Sequence, residues 1–243
     1  MSVPLIIGHR GASAVAPENT LAAFRKAIAV GADGIEFDVR LTRDGVPVVI
    51  HDSTLRRTGG VNKRVADLSW QELSQVDVGS WFRPGSFAGE TVPSLRELFE
   101  LFQTNSASLY LEMKCDSPAE HRPLAEACCR LIDEFSFKER VVVECFQLPA
   151  LNVLQEIDSD IKTAALFDRA FTDQRIITRA TEIGAIAVAL HHRLARKSLV
   201  EKSKQAGFHV AVWTVDDPAW VQHARELGID ALITNDPARM LNS

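Results

Sequence analysis

The sequence predicts an α/β protein folded as one closed (β/α)8 barrel, the TIM-barrel architecture, with a small insertion on the C-terminal face. Three observations predict it. Eight short β-branched runs alternate with longer helical patterns, as in a parallel sheet covered by helices. A chain of 243 residues suits a single barrel domain over 1–243. No GxGxxG follows the first strand, which weighs against an open dinucleotide-binding sheet.

The strands are expected at 4–8, 34–40, 108–114, 140–145, 162–166, 186–190, 209–213 and 231–234. Helical patterns follow most of them, at 19–30, 117–135, 149–157, 172–184, 194–205 and 218–227. Asn19 or Thr20 reads as the N-cap of the first helix. One segment breaks the rhythm: after the second strand come the turn signal LTRDG and a ninth strand-like run, VPVVIHD. So short a turn suits an antiparallel return and not a parallel crossover. Residues 34–51 are therefore expected to form a hairpin past the barrel rim that returns to His51 and Asp52. Residues 53–92, rich in Gly, Ser, Arg and Trp with a short helical pattern at 69–76, read as a lobe inserted on that rim. The barrel resumes with a helix at 94–102, where Ser94 and Glu97 have capping-box spacing.

An apolar fraction of 46% and a charged fraction of 24% are ordinary for a globular domain and exclude disorder as the main state. The net charge of −5 excludes a polybasic nucleic-acid binder and a binder of anionic membranes. No run reaches membrane-spanning length, and the N-terminal apolar stretch lacks a basic flank, so neither span nor signal peptide is expected. Cys115, Cys128, Cys129 and Cys145 show no CxxC spacing, so reduced thiols and a cytoplasmic location are expected.

Barrel chemistry sits at the carboxyl ends of strands. The first strand ends in Gly8-His9-Arg10-Gly11. The second carries Glu36 and Asp38, which share a face at i and i+2, as do Glu112 and Lys114 on the third. If Phe37 and Val39 pack outward, both carboxylates of the second strand enter the barrel mouth. Three unpaired carboxylates there repel, and a hard cation between them, Mg²⁺ or Ca²⁺, relieves the repulsion. The competing reading pairs them with Arg10, Lys114 or Arg40 and holds for any one taken singly; the three together favour the cation. His9 and His51 flank this cluster and suit an acid–base pair, although either alone reads as well as a hydrogen-bonded structural histidine. Arg10 and Lys114 suit an anionic substrate or simple charge balance, and Trp213 a substrate wall or a cap on the core. His191, His192, His121, His209 and His223 read as rim residues without a role.

The stretch HRGASAVAPENTLAAFRKAIAVGADGIEFDVRLTRDGVPVVIHDSTLRRTGG resembles the glycerophosphodiester phosphodiesterase family, as do LEMK at 111–114, GSWFRPGSFAGETVPSLRELF, VAVWTVDDP and GIDALITNDP. The resemblance covers essentially the whole chain. It implies a (β/α)8 barrel with a small inserted lobe, one divalent cation, and hydrolysis of deacylated phospholipids to sn-glycerol 3-phosphate and an alcohol. It implies Glu36, Asp38 and Glu112 as metal ligands and His9 and His51 as the acid–base pair. Arg10 and Lys114 would contact phosphate, and Trp213 would form the glycerol-side wall. Gly59 and Cys145 depart from residues common in the family. A small-molecule partner is implied, with no stable membrane association and homo-oligomerisation left open. The alternatives are a lysophospholipase D-type reaction at the same site and a non-catalytic phosphodiester-binding module.

Overall fold

A computed structural model describes residues 3–83, 85–168 and 171–242 of the protein. Eight parallel strands form the barrel: β1 (Leu5–His9), β2 (Gly34–Leu41), β4 (Ser108–Met113), β5 (Val141–Cys145), β6 (Lys162–Phe167), β7 (Ala187–His191), β8 (His209–Trp213) and β9 (Ala231–Thr234). Each pairs with its neighbour, and β1 pairs with both β2 and β9, which closes the ring. The extra strand β3 (Pro47–Val49) runs antiparallel to β2, with Val39 opposite Val49 and Leu41 opposite Pro47. That return places Ile50 beside Asp38, whose carbonyl accepts from the Ile50 amide at 2.9 Å. His51 therefore reaches the level of the strand ends from a hairpin that overshoots them.

The helices are α1 (Leu21–Ala29), α2 (Trp70–Leu73), α3 (Leu95–Phe102), α4 (His121–Glu134), α5 (Leu148–Ile157), α6 (Asp173–Glu182), α7 (Lys197–Gln205), α8 (Ala219–Leu227) and α9 (Pro237–Leu241). The expected helix starts shift inward where short 3-10 turns intervene, at Pro118–Glu120 before α4 and His192–Leu194 before α7. Thr20, not Asn19, caps α1, its hydroxyl accepting from the Ala23 amide at 3.3 Å. The α3 capping box forms as its spacing predicts, with Glu97 accepting from the Ser94 amide at 2.8 Å. The sequence reading did not anticipate α9.

Alternation along the strands divides the side chains between two cores. Phe37, Val39, Leu111 and Val143 face outward and pack under the helices with Phe24, Leu98 and Phe99. Ile7, Leu166, Ala189, Ala211, Ala231 and Ile233 fill the barrel. Four of the inward positions on β6–β9 (Ala164, Ala189, Ala211 and Ala231) are buried alanines. Between β3 and α3 the chain builds a third apolar cluster from Leu55, Val65, Leu68, Leu73, Val78 and Val92 with Val48 and Ile50. Arg57 of this segment reaches Glu18 in the β1–α1 loop at 2.7 Å, over the carboxyl ends of the strands. Gly59 lies where a Cβ would come within 2.7 Å of Val76 Cγ1, which accounts for glycine there.

Phe37 is fully buried and meets Phe24 edge-on at 6.2 Å. Truncation leaves a cavity behind the strand that carries Glu36 and Asp38. Phe37→Ala is expected to destabilise the fold by about 3–5 kcal/mol, read from urea unfolding; a loss below about 1 kcal/mol would contradict this packing.

Candidate functional site

Outward packing of Phe37 and Val39 turns Glu36 and Asp38 into the barrel mouth, and both are buried. The pairing of β2 with β4 sets Asp38 beside Glu112, and that of β4 with β5 sets Glu112 beside Glu144. Glu36, Asp38 and Glu112 each offer an oxygen, and the three lie within 4.8 Å of one another. That spacing suits one six- to eight-coordinate hard cation with metal–oxygen bonds of roughly 2.1–2.6 Å.

The cations named as competitors are also present. Arg10 Nε lies 3.1 Å from Asp38 Oδ2, and Lys114 Nζ lies 2.6 Å from Glu112 Oε1 and 3.1 Å from Asp38 Oδ1. Asn19 donates to Asp38 Oδ2 at 2.7 Å from a left-handed conformation (φ 57°). Arg40 does not join them; it pairs with Asp116 at 2.9 Å and donates to the His51 carbonyl. Even so, Asp38 Oδ1 has the Lys114 ion pair but accepts no hydrogen bond, and buried Glu144 Oε2 accepts none either. Two fixed cations, Arg10 and Lys114, thus face four buried carboxyl groups. The donor set and its spacing fit a divalent cation.

The electrostatics carry the same imbalance. Burial, then the charges of Asp38 and Glu144, push Glu36 well above the usual carboxylate range. Burial also raises Glu112, to about 7, with Lys114 opposing and Asp38 reinforcing the shift. Burial and Glu112 raise Glu144. For Asp38 burial acts in the same sense, but Lys114 and Arg10 overcome it and hold the group below the usual range.

The tight turn after β1 sets His9 and Arg10. Gly11 (φ 84°) stands where a Cβ would come within 2.7 Å of the Ala23 backbone, so only glycine lets the turn pack on α1. Arg10 is held by Glu18 at 2.8 Å, and its amide donates to Glu36 at 3.1 Å. His9 Nδ1 lies 2.7 Å from Asn235 Oδ1. Asn235 in turn donates through Nδ2 to Asp216 at 2.8 Å, which fixes the amide's orientation. Asn235 Oδ1 is then an acceptor, so His9 carries its proton on Nδ1 and presents a bare Nε2, 3.8 Å from Glu36. Burial and the Arg10 charge lower His9 to about 4. His51 Nδ1 is instead 2.7 Å from the carboxylate of Asp52, itself held by Arg57 at 2.7 Å. Burial lowers His51 too, against the opposing pull of Asp38 and Asp52.

His9, Arg10, Glu36, His51, Glu112, Lys114, Glu144 and Trp213 border one cavity of about 240 Å³, which Phe146, Leu166 and Ile233 also line. Asp38 lies behind it. Trp213 stacks edge-on against Phe146 at 5.6 Å and against His191 at 5.1 Å, so His191 buttresses the wall. His121 is not a rim residue: it is buried and bonded to Gln147 at 2.8 Å. The sequence reading missed Asn19, Glu18, Glu144, Asp216 and Asn235. The period-2 rule would have found Glu144; the other four act through loops.

Among the described residues the four cysteines are free, and no helix is long and apolar enough to cross a membrane. Residues 9–239 match the Glycerophosphoryl diester phosphodiesterase family. A glycerophosphodiester phosphodiesterase of Caldanaerobacter subterraneus subsp. tengcongensis is 35% identical over 240 residues, covering 98% of this chain and 96% of that one. An Oleispira antarctica phosphodiesterase solved with the product sn-glycerol-3-phosphate superposes with a TM-score of 0.91 at 26% identity, covering 99% of this chain and 96% of its own. The glycerophosphodiester phosphodiesterase of Agrobacterium tumefaciens does so with a TM-score of 0.85 at 27% identity, covering 99% and 100%. A closed barrel with this site and these relatives belongs to the glycerophosphoryl diester phosphodiesterase family, and the chain is an enzyme of that family.

Proposed function

We propose that the enzyme hydrolyses deacylated glycerophosphodiesters to sn-glycerol 3-phosphate and an alcohol, with one Mg²⁺ or Ca²⁺ and with His9 and His51 exchanging protons. The observation that carries this reading is one small cavity bordered by two histidines, two cations and a convergent carboxylate set. Glu36, Asp38 and Glu112 hold the ion, which when bound polarises a phosphoryl oxygen and offsets developing negative charge. Arg10 and Lys114 orient the phosphate. The free cysteines support a reducing, cytoplasmic setting. Residues 53–92 form the alcohol side of the mouth, as rim segments of barrels commonly do.

The partners of the two histidines support different roles. Asn235 is neutral and does little to stabilise an imidazolium, which suits His9 as the base through Nε2. Asp52 is anionic and does stabilise one, which suits His51 as the acid toward the departing alcohol. The nucleophile is the substrate's own hydroxyl, next to the phosphate-bearing carbon, because intramolecular attack has a large proximity advantage over water. His9 Nε2 takes the proton of that hydroxyl and His51 Nε2 protonates the alcohol oxygen. Water then opens the cyclic glycerol phosphate with the two roles reversed.

Excess chelator is expected to abolish turnover of glycerophosphocholine and Mg²⁺ or Ca²⁺ to restore it, while Glu112→Gln weakens cation affinity; full activity in EDTA would refute the ligand set. Because Glu112 rises to about 7 in the fold, its protonated form is favoured there. Its contribution to stability is present below the ordinary carboxylate range and is lost as pH rises through about 7. The gain in Tm on adding the cation should therefore grow from pH 5.5 to 8, and a flat or shrinking gain would count against the carboxylates as its site.

His9→Ala and His51→Ala should each lower kcat on the order of a hundredfold or more. A nitrophenyl ester, whose leaving group needs no proton, should rescue only the His51 variant; rescue of the His9 variant would reverse the two assignments. A 2-deoxy analogue is expected to bind without turning over, and normal turnover of it would eliminate the internal nucleophile.

A further inference from the structure

Arg57 stands in the lobe between β3 and α2 and does not border the 240 Å³ cavity. Its guanidinium is nevertheless divided between two carboxylates that bear on the site. Nε donates to Asp52 Oδ2 at 2.7 Å, while Nη1 and Nη2 donate to Glu18 Oε2 and Oε1, each at 2.7 Å. Glu18 Oε1 also accepts from Arg10 at 2.8 Å. The other oxygen of Asp52, Oδ1, lies 2.7 Å from His51 Nδ1. A row of bonded groups therefore runs from Arg10, in the turn after β1, through Glu18, Arg57 and Asp52 to His51. Arg57 is itself set by the lobe. Its neighbours Leu55 and Thr58 are buried, and its guanidinium carbon lies 5.9 Å from the centre of the Trp81 ring. Trp81 is fixed in turn by its Nε1, which donates to the Val78 carbonyl at 2.8 Å.

We infer that Arg57 is a positioning residue for proton donation by His51: it pins the Asp52 carboxylate, and through it the imidazole, in the orientation that serves the departing alcohol. The inference rests on the assignment of His51 as the acid and deepens it. Asp52 has 27% of its side chain open to solvent. With only the imidazole as partner, such a carboxylate is free to swing toward water. A second bond, made to the opposite oxygen, removes that freedom. Exposed ion pairs are usually weak, but here two parallel bonds to Glu18 already order the guanidinium, and the bond to Asp52 needs no further ordering. A lysine would not serve, because an ammonium lacks the fixed fork that spans both carboxylates. Burial raises the Asp52 carboxyl, but the bonds from Arg57 and His51 outweigh it and hold the group below its usual range, so the partner behind His51 stays anionic. Arg57 thus brings the lobe into the chemistry. The segment on the alcohol side of the mouth also aims the group that protonates the alcohol.

The test measures single-turnover release of choline from glycerophosphocholine and of nitrophenol from the nitrophenyl ester. It compares wild type with Arg57→Met, Asp52→Asn, the double variant and His51→Ala. Arg57→Met should slow choline release about tenfold, part of the hundredfold or more that a general acid supplies, and leave nitrophenol release within about twofold of wild type. Normal nitrophenol release also shows that the variant is folded. The effect of Arg57→Met should nearly vanish in the Asp52→Asn background, because Arg57 acts through Asp52. Arg56→Met removes the same charge from the exposed neighbouring residue and should leave both rates unchanged. Equal slowing of the two esters by Arg57→Met would overturn the inference and reduce Arg57 to an anchor of the lobe. No slowing of choline release would overturn it too, as would an undiminished loss in the Asp52→Asn background. His51→Ala reads the parent assignment separately. Selective loss of choline release supports His51 as the acid; equal loss with both esters overturns that assignment and the inference with it.

Discussion

Four segments of the chain converge on Asp38, three of them on its carboxylate. The turn after β1 sends Arg10, the approach to α1 sends Asn19, the end of β4 sends Lys114, and the β3 return docks its Ile50 amide on the Asp38 carbonyl. Burying that charge without partners would cost several kcal/mol. Its partners are thereby fixed in place, and each is either a side chain of the site or the neighbour of one. Lys114 positions Glu112, Arg10 adjoins His9, and Ile50 adjoins His51. The site is held together by one compensated charge, and the charges left uncompensated around it are what make it receptive to a cation.

The legible and illegible parts of this arrangement separate by range of interaction. Alternation along a strand is local, so Glu36, Asp38, Glu112 and Lys114 follow from their spacing once Phe37 and Val39 are taken as outward. The LTRDG turn is local too, and it leads directly to His51. Glu144 obeys the same rule but stands as the single charged residue in VVVEC, where an apolar strand absorbs it without notice. Asn235 and Asp216 are of another kind. They bond to each other across 19 residues, and Asn235 bonds to His9 across 226; no pattern of spacing announces such contacts. Asn19 illustrates the cost of a good local explanation: a capping role was available to it, but Thr20 takes the cap and frees Asn19 for Asp38.

The two histidines are chemically identical in sequence and made unequal by what stands behind them. An amide behind His9 fixes a tautomer without adding charge, whereas a carboxylate behind His51 fixes a tautomer and favours the protonated ring. Asn235 and Asp52 both lie outside the cavity lining. A substitution there could alter the reaction while every group that touches substrate stayed in place.

The bond between His9 and Asn235 also bears on how the molecule comes into being. His9 is made 226 residues before Asn235. The carboxylates of β2 and β4 lie between them in order of synthesis. The orientation of the His9 ring is therefore settled only when β9 closes against β1, a contact between residues 226 apart. An emerging chain can collect its acidic groups well before it can aim this imidazole. Competence arrives with ring closure as a single late event, so a chain truncated before β9 holds most of the machinery and lacks the means to orient His9.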